Sequence, residues 1–218
     1  MREYQVKHRG KMYRTAGHEP SEYISSYLNK GIFYEEPLLT YLEDKYPNLK
    51  SVVDVGANVG NHSAFFKKVM RVKEVVAFEP NEDNFRIAEA LMGRTMPILN
   101  VALSDKAGRA TSHSSPGNMG ASYCISDEEG TIEVQTLDSY ELSPDLIKID
   151  AENMESQVLF GAKETIQRSK PILIVEHNDI QKMYEFNRVL NQIDVPYMVK
   201  PFTKKNWEMF EYIPVERL

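Results

Sequence analysis

Between Ser51 and Asn61 a β-branched run, Ser51-Val52-Val53-Asp54-Val55, passes without a linker into Gly56-Ala57-Asn58-Val59-Gly60-Asn61. A short apolar run of this kind reads as a buried strand, and glycine directly after it permits a turn tight enough for a helix to begin at once. Strand, tight turn and helix in succession form the opening half of a βαβ unit. That unit commits a chain to a parallel sheet with helices on both faces. The remainder of the sequence repeats the theme. Asn61 to Met70 carries Phe65, Phe66 and Val69 at helical spacing. Further strands are expected at Glu74 to Phe78, Ile98 to Leu103, Leu146 to Ile149 and Ile172 to Val175. Helices are expected near Asn81 to Met92, Glu155 to Arg168 and Ile180 to Ile193. Tyr197-Met198-Val199 and Phe210-Glu211-Tyr212-Ile213 are placed to close the sheet as an antiparallel hairpin.

Two stretches stand outside this alternation. Residues 1–15 place Tyr4, Val6 and Tyr13 among polar positions around Arg9-Gly10, which suits a small hairpin or a loose arm. From Glu19 to Tyr46 the spacing is helical, with Tyr23, Tyr27 and Leu28 on one face. Leu38, Leu39, Leu42 and Tyr46 form another, with Pro37 near the start of its helix. The chain thus divides into a hairpin and helical cap, 1–49, and a core, 50–218, within one globular domain. Ser112 to Ser126, rich in Gly and Ser, reads as a surface loop, and its 117–122 portion is placed to fold over a bound substrate.

Lys and Arg number 26 against 32 Asp and Glu, a net charge of −6, which disfavours DNA as a partner because such binding rests on clustered cations. Lys200, Lys204 and Lys205 form one modest basic strip. No apolar run approaches the roughly 20 residues of a membrane span, and Met1-Arg2-Glu3-Tyr4 lacks a signal-peptide core, so a cytoplasmic protein is expected. The single cysteine, Cys124, allows neither an internal disulfide nor a cysteine-based zinc site.

The turn at Gly56 to Gly60 gains meaning from Phe78-Glu79-Pro80-Asn81. Glu79 closes the second strand 19 residues after Gly60. A carboxylate there can accept hydrogen bonds from two ribose hydroxyls, as in dinucleotide-binding folds. A dinucleotide, however, wants G-x-G-x-x-G so that its pyrophosphate rests on the helix N-terminus. Asn58 stands where the second glycine belongs, and Asp54 would repel a pyrophosphate while suiting a cationic ligand through water. S-adenosylmethionine (SAM), with a sulfonium, an amino group and no phosphate, fits better than NAD.

The ordered series Phe33-Tyr34-Glu35-Glu36-Pro37, Asp54 to Asn61, Ala77 to Asn81, Asn100 to Asp105, Val134 to Ser139, Leu146 to Asp150, Val158 to Ala162 and Pro171 to Glu176 resembles the FkbM family of methyltransferases. The resemblance covers about Gly31 to His177. It implies a Rossmann-like class I methyltransferase fold, a seven-stranded, mostly parallel sheet with its last strand antiparallel. It also implies O-methylation of sugars or other small hydroxylated metabolites. Tyr34 and Glu36 are implied to reach the methionine end of SAM. The family's Val-Glu-Gly after Ile-Asp is replaced here by Ala151-Glu152-Asn153, so the glycine of that turn is missing.

Ligands of open α/β sheets bind at the C-terminal strand ends. There Asp54, Gly56, Asn58, Gly60, Asn61, Glu79, Pro80, Asn81, Ser104, Asp105 and Asp150 are the expected cofactor residues. Asp150 or His177 is the expected base for a substrate hydroxyl, with Glu152 holding the substrate or tuning that base. No metal ligands are assigned, although such acids also suit Mg²⁺. Other acceptors, namely a lipid head group, a natural product or RNA, remain open, as does a SAM-binding domain without catalysis. DNA-base methylation would bring a Pro-Pro-aromatic motif after the fourth strand, and Asp150-Ala151-Glu152 has none. The chain also suits a domain of a larger enzyme.

Overall fold

The computed structural model describes residues 1–115, 118–177, 179–202 and 209–218, with the backbone alone within 112–126. Two antiparallel strands, β1 (Arg2–His8) and β2 (Lys11–Gly17), turn through Arg9 and Gly10, at φ 45° and 80°. Two positive φ values in a two-residue loop give a twist that matches the flanking strands. The arm is therefore a hairpin. Its inward side chains, Tyr4, Val6 and Ala16, pack with Leu28 of α1 (Tyr23–Asn29) and with Leu38, Leu39 and Leu42 of α2 (Glu36–Lys45).

The core runs through β3 (Ser51–Val55), α3 (Asn61–Ala64), β4 (Glu74–Phe78), α4 (Glu82–Met92) and β5 (Ile98–Leu99). Helix α3 widens into a π-helical turn, Phe65–Val69, that buries Phe65 and Phe66. Next come β6 (Val101–Leu103), β7 (Gly108–Ser115), β8 (Asn118–Ser126), β9 (Ile132–Gln135) and β10 (Leu146–Ile149). The chain ends with α5 (Glu155–Phe160), α6 (Lys163–Ser169), β11 (Ile172–Glu176), α7 (Ile180–Leu190), β12 (Tyr197–Pro201) and β13 (Met209–Pro214). The main sheet has seven strands in the order β12-β13-β11-β10-β3-β4-β5. β13 runs antiparallel to both neighbours, β11 and β12, while the pairs from β11 to β5 are parallel. The α/β fold is thus the expected one, with the antiparallel last strand inserted beside β11.

Three local departures have physical causes. The third strand is not continuous: Asn100 donates from its side chain to the carbonyls of Glu79 and Pro80, and the chain changes sheet there. β6 joins a second sheet, β6-β9-β7-β8, in which the segment expected as a loop forms the β7–β8 hairpin. The tip of that hairpin, 116–117, lies outside the described residues, as do Lys204 and Lys205 of the basic strip. The helix expected from Glu155 to Arg168 breaks at Gly161, where a Cβ would stand 2.0 Å from the Ser104 carbonyl oxygen. Asp138 then caps the new start, accepting from the N–H groups of Glu164 (3.0 Å) and Thr165 (2.7 Å).

One face of the sheet buries Phe33, Phe65, Phe66 and the cap, and the other buries Val158, Leu159, Ile166, Phe186 and Leu190 from α5, α6 and α7. Burial on both faces leaves β10 wholly inside, including Lys148. Among the described residues no helix is long and apolar enough to cross a membrane.

Candidate cofactor and methyl-transfer site

A cavity of about 660 Å³ opens at the C-terminal ends of the parallel strands. Gly56, Glu79, Ser104, Asp150 and Glu176 reach it from the ends of β3, β4, β6, β10 and β11. Gly56 has φ 72°, and a Cβ there would lie 1.8 Å from the Asp150 carbonyl oxygen. Only glycine lets the two strand ends approach this closely. Asn58, at φ 51°, takes a left-handed conformation that asparagine tolerates, and its Oδ1 accepts from the Val59 N–H at 2.8 Å.

Glu79 is buried with both oxygens oriented, one accepting from the Asn58 N–H (2.7 Å) and the other from the Asn81 N–H (2.8 Å). Burial pushes its carboxyl up to about 7, against the pull of those two N–H groups and Lys148. Its contribution to stability is therefore fully present below its ordinary value of 4.5 and lost as pH rises through about 7. Pro80, Ser104 and Asp105 also line the cavity, with the Ser104 hydroxyl donating to Asp105 at 3.0 Å. Asn81 instead caps α4 with its side chain.

The centre of the site is a residue that sequence reasoning passed over. Lys148 donates to the Gly56 carbonyl at 2.9 Å and reaches Asp150 Oδ2 at 3.1 Å and Asp54 Oδ1 at 3.5 Å. Burial alone would lower its pKa, but the charges of Asp150 and Asp54 outweigh that and raise it. The signal was a lysine inside an otherwise apolar strand, Leu146-Ile147-Lys148-Ile149, because a buried cation requires partners. Asp150 is desolvated too, yet Lys148 and a hydrogen bond from Glu176 hold it below the usual carboxylate range. Glu176 moves the opposite way, pushed up by the charge of Asp150 and by burial. Two carboxyls this close resist ionising together, and the ammonium of Lys148 favours the charge on Asp150.

Beside them Glu152 lines the cavity, its carboxyl raised to about 7 by burial and by Asp150 and Glu155. Glu155 turns away to accept from the N–H groups of Ala151 and Asn153. Asn153 sits at φ 76°, in the left-handed region that favours the glycine implied there by the family resemblance. Asn153→Gly should accordingly raise stability by about 0.5 kcal/mol, a Tm gain of roughly 1–2 °C in a thermal melt. A fall in Tm would show that the Asn153 side chain itself stabilises the turn.

Several expected residues are placed elsewhere. Asp54 is wholly buried, accepting from the Ser63 hydroxyl at 2.6 Å and facing Lys148, and it does not line the cavity. Its carboxylate faces the lysine and not the cavity. His177 packs against Phe186, Phe210 and Tyr212, with Nε2 2.8 Å from the Tyr212 hydroxyl, and is likewise outside the lining. Burial lowers its pKa to about 4, as befits a neutral ring in an aromatic box. Glu36 faces His8 in the N-terminal hairpin at 3.3 Å. Its neighbour Glu35, at φ 55°, turns inward to His62 at 2.9 Å, and His62 lines the cavity. Tyr34 lines it as expected, its main chain clasped by the Asn61 amide, which accepts from the Tyr34 N–H and donates to its carbonyl, both at 3.0 Å. Gly60, at φ 83°, supports the cavity from below, where a Cβ would press Ala88 of α4 at 3.3 Å. Among the described residues no group of three or more His, Cys, Asp or Glu side chains is arranged to hold a metal ion.

A parallel sheet closed by one inserted antiparallel strand, with an acidic cradle where dinucleotide folds bind phosphate, is the architecture of the Rossmann-like methyltransferases. Residues 54–195 match the methyltransferase FkbM domain, and the chain belongs to that family. It is similar to hexuronic acid methyltransferase AglP of Haloferax volcanii, at 28% identity over 156 residues, covering 64% of this chain and 63% of AglP. It is also similar to 2-O-methyltransferase NoeI of Sinorhizobium fredii, at 28% identity over 160 residues, covering 62% of this chain and 65% of NoeI. The match thus spans less than two thirds of each of those proteins. The solved structure of a methyltransferase FkbM from Methylobacillus flagellatus KT superposes with a TM-score of 0.58 over 75% of this chain and 43% of that one. At 19% identity that is a likeness of fold.

Proposed function

We propose that the chain transfers a methyl group from SAM to a hydroxyl of a sugar, a glycan or a similar small hydroxylated acceptor. The observation that carries this reading is the Lys148–Asp150–Glu176 assembly, set against the Gly56 turn in the same cavity as Glu79. Its residues suit SAM. Glu79 offers an oriented carboxylate to ribose hydroxyls, and the acids near the turn favour a sulfonium and an ammonium group. A pyrophosphate would meet Asp150, Glu152 and Glu176 there, while Lys148 is already committed. SAM when bound supplies the electrophilic methyl group.

The chain's own residues then have three tasks. The cavity walls align the acceptor oxygen and keep water away. Asp150, held ionised by Lys148, accepts the hydroxyl proton as the oxygen attacks, a contribution of about 10²–10⁴ in rate. Glu152 flanks Asp150 and accepts a hydrogen bond from a neighbouring acceptor hydroxyl. The names of AglP and NoeI, one a hexuronic acid and the other a 2-O-methyltransferase, support a sugar-type acceptor.

Titration calorimetry with SAM tests the donor. Ribose hydroxyls need Glu79 ionised, so binding releases a proton below about pH 7, and affinity should rise as pH is raised from 6 to 8. Glu79→Gln should bind SAM roughly tenfold more weakly and lose that pH dependence. Wild-type affinity in the variant would remove Glu79 from the cofactor site. Folded wild type that binds no SAM would end the reading.

A further inference from the structure

We propose that Tyr23 and Tyr34, both supplied by the N-terminal segment, form an aromatic wall that receives the C–H face of an uncharged sugar ring. The proposal rests on the sugar-hydroxyl reading above and adds the docking surface and the charge of the acceptor.

Tyr34 is fixed by the Asn61 clasp, and its ring stands at 90° to that of His62, with centroids 6.3 Å apart. Tyr23, the first residue of α1, lines the cavity yet is 54% exposed. Its ring lies 5.6 Å from Tyr34 at 71°, and Tyr27 closes the triangle at 5.6 and 5.4 Å. Three rings packed edge to face hold one another's orientation. The result is a rigid aromatic surface at a cavity mouth, with Tyr23 left largely in water. An aromatic face carries negative potential, and the C–H groups of a pyranose are weakly positive, so the two faces stack. The sugar's hydroxyls, projecting from its edge, are then free to meet the carboxyls at the ends of β10 and β11.

Charge narrows the acceptor further. Asp150, Glu152 and Glu176 follow or end β10 and β11, and Lys148 is taken by Asp150 and the Gly56 carbonyl. Lys106, between β6 and β7, and Arg109 of β7 also line the cavity, with Arg109 donating to the Gly130 carbonyl at 2.6 Å. A carboxylate on an acceptor seated at the β10 and β11 ends would therefore meet acids whose neighbouring cation, Lys148, is already taken. Tyr23, the exposed member of the wall, precedes residues 54–195 that match the family.

The test uses the full chain with methyl α-glycosides of glucose, galactose and mannose and the corresponding methyl hexuronosides. Saturation-transfer NMR in the presence of S-adenosylhomocysteine reads ring contact, and tritiated SAM reads turnover. Wild type should saturate the ring C–H protons of a neutral glycoside and methylate it. Tyr23→Ala should lose that signal and raise acceptor KM about tenfold, with kcat and SAM affinity nearly unchanged, while Tyr23→Trp should retain both. Hexuronosides should be the poorer acceptors. An unchanged KM in Tyr23→Ala, weakened SAM binding there, or preference for hexuronosides would each overturn the proposal while leaving the sugar reading intact. Wild type that binds S-adenosylhomocysteine but neither binds nor methylates any glycoside would overturn the sugar reading, and the wall with it.

Discussion

Gly56→Ala should lower stability by about 3 kcal/mol and abolish SAM binding. Two effects add. The residue sits at φ 72°, where a side chain costs about 1–2 kcal/mol. The new Cβ would also lie 1.8 Å from the Asp150 carbonyl oxygen, a backbone atom that cannot swing aside. Relief requires β3 and β10 to part at the point where Gly56 and Asp150 together floor the cavity. A thermal melt should fall by roughly 6–12 °C. Gly10→Ala is the matched control, because Gly10 has φ 80° but nothing within 4 Å of its Cβ position. It should cost only the conformational share, about 1 kcal/mol, and leave SAM affinity unchanged. Equal losses in the two variants would show that the strand contact at Gly56 relaxes freely.

Lys148→Met should be the most damaging change in the core, at about 3–5 kcal/mol. Its ammonium is the cation facing wholly buried Asp54 and also holds Asp150 and the Gly56 carbonyl. Removing it leaves a wholly buried carboxylate with the Ser63 hydroxyl as its hydrogen-bond donor. Adding Asp54→Asn removes that stranded charge, so the double variant should be more stable than the sum of the single losses predicts. Strict additivity in this cycle would mean that the 3.5 Å contact carries no coupling. Lys148→Met should also let the Asp150 carboxyl rise from its lowered position, moving the acidic limb of the activity profile to higher pH. The lysine's own contribution is present below its ordinary value of 10.5 and is lost only as pH rises through its raised folded value.

The local chemistry of the chain was enough to mark the strand–turn–helix alternation and to single out the Gly56–Gly60 turn. β-branched runs bounded by glycine, followed by helical spacing, specify strand and helix with no knowledge of distant partners, and Gly56, Gly60 and Glu79 acquire their meaning from position alone. The resemblance supplied the seven-strand count and the antiparallel last strand, and the structure supplied their order. Tertiary structure decided what each acid faces. Glu35 and Glu36 are adjacent and chemically alike, yet a left-handed backbone at Glu35 turns one toward His62 and leaves the other on His8. His177 ends the right strand but faces Tyr212 and Phe186, because strand alternation sends Glu176 and His177 to opposite sides. Lys148 found Asp54 only through the parallel register that sets them side by side, and no spacing along the chain encodes that register. A strand's existence is a local property of its residues, whereas the partner of a buried charge is fixed by which strand lies next to it.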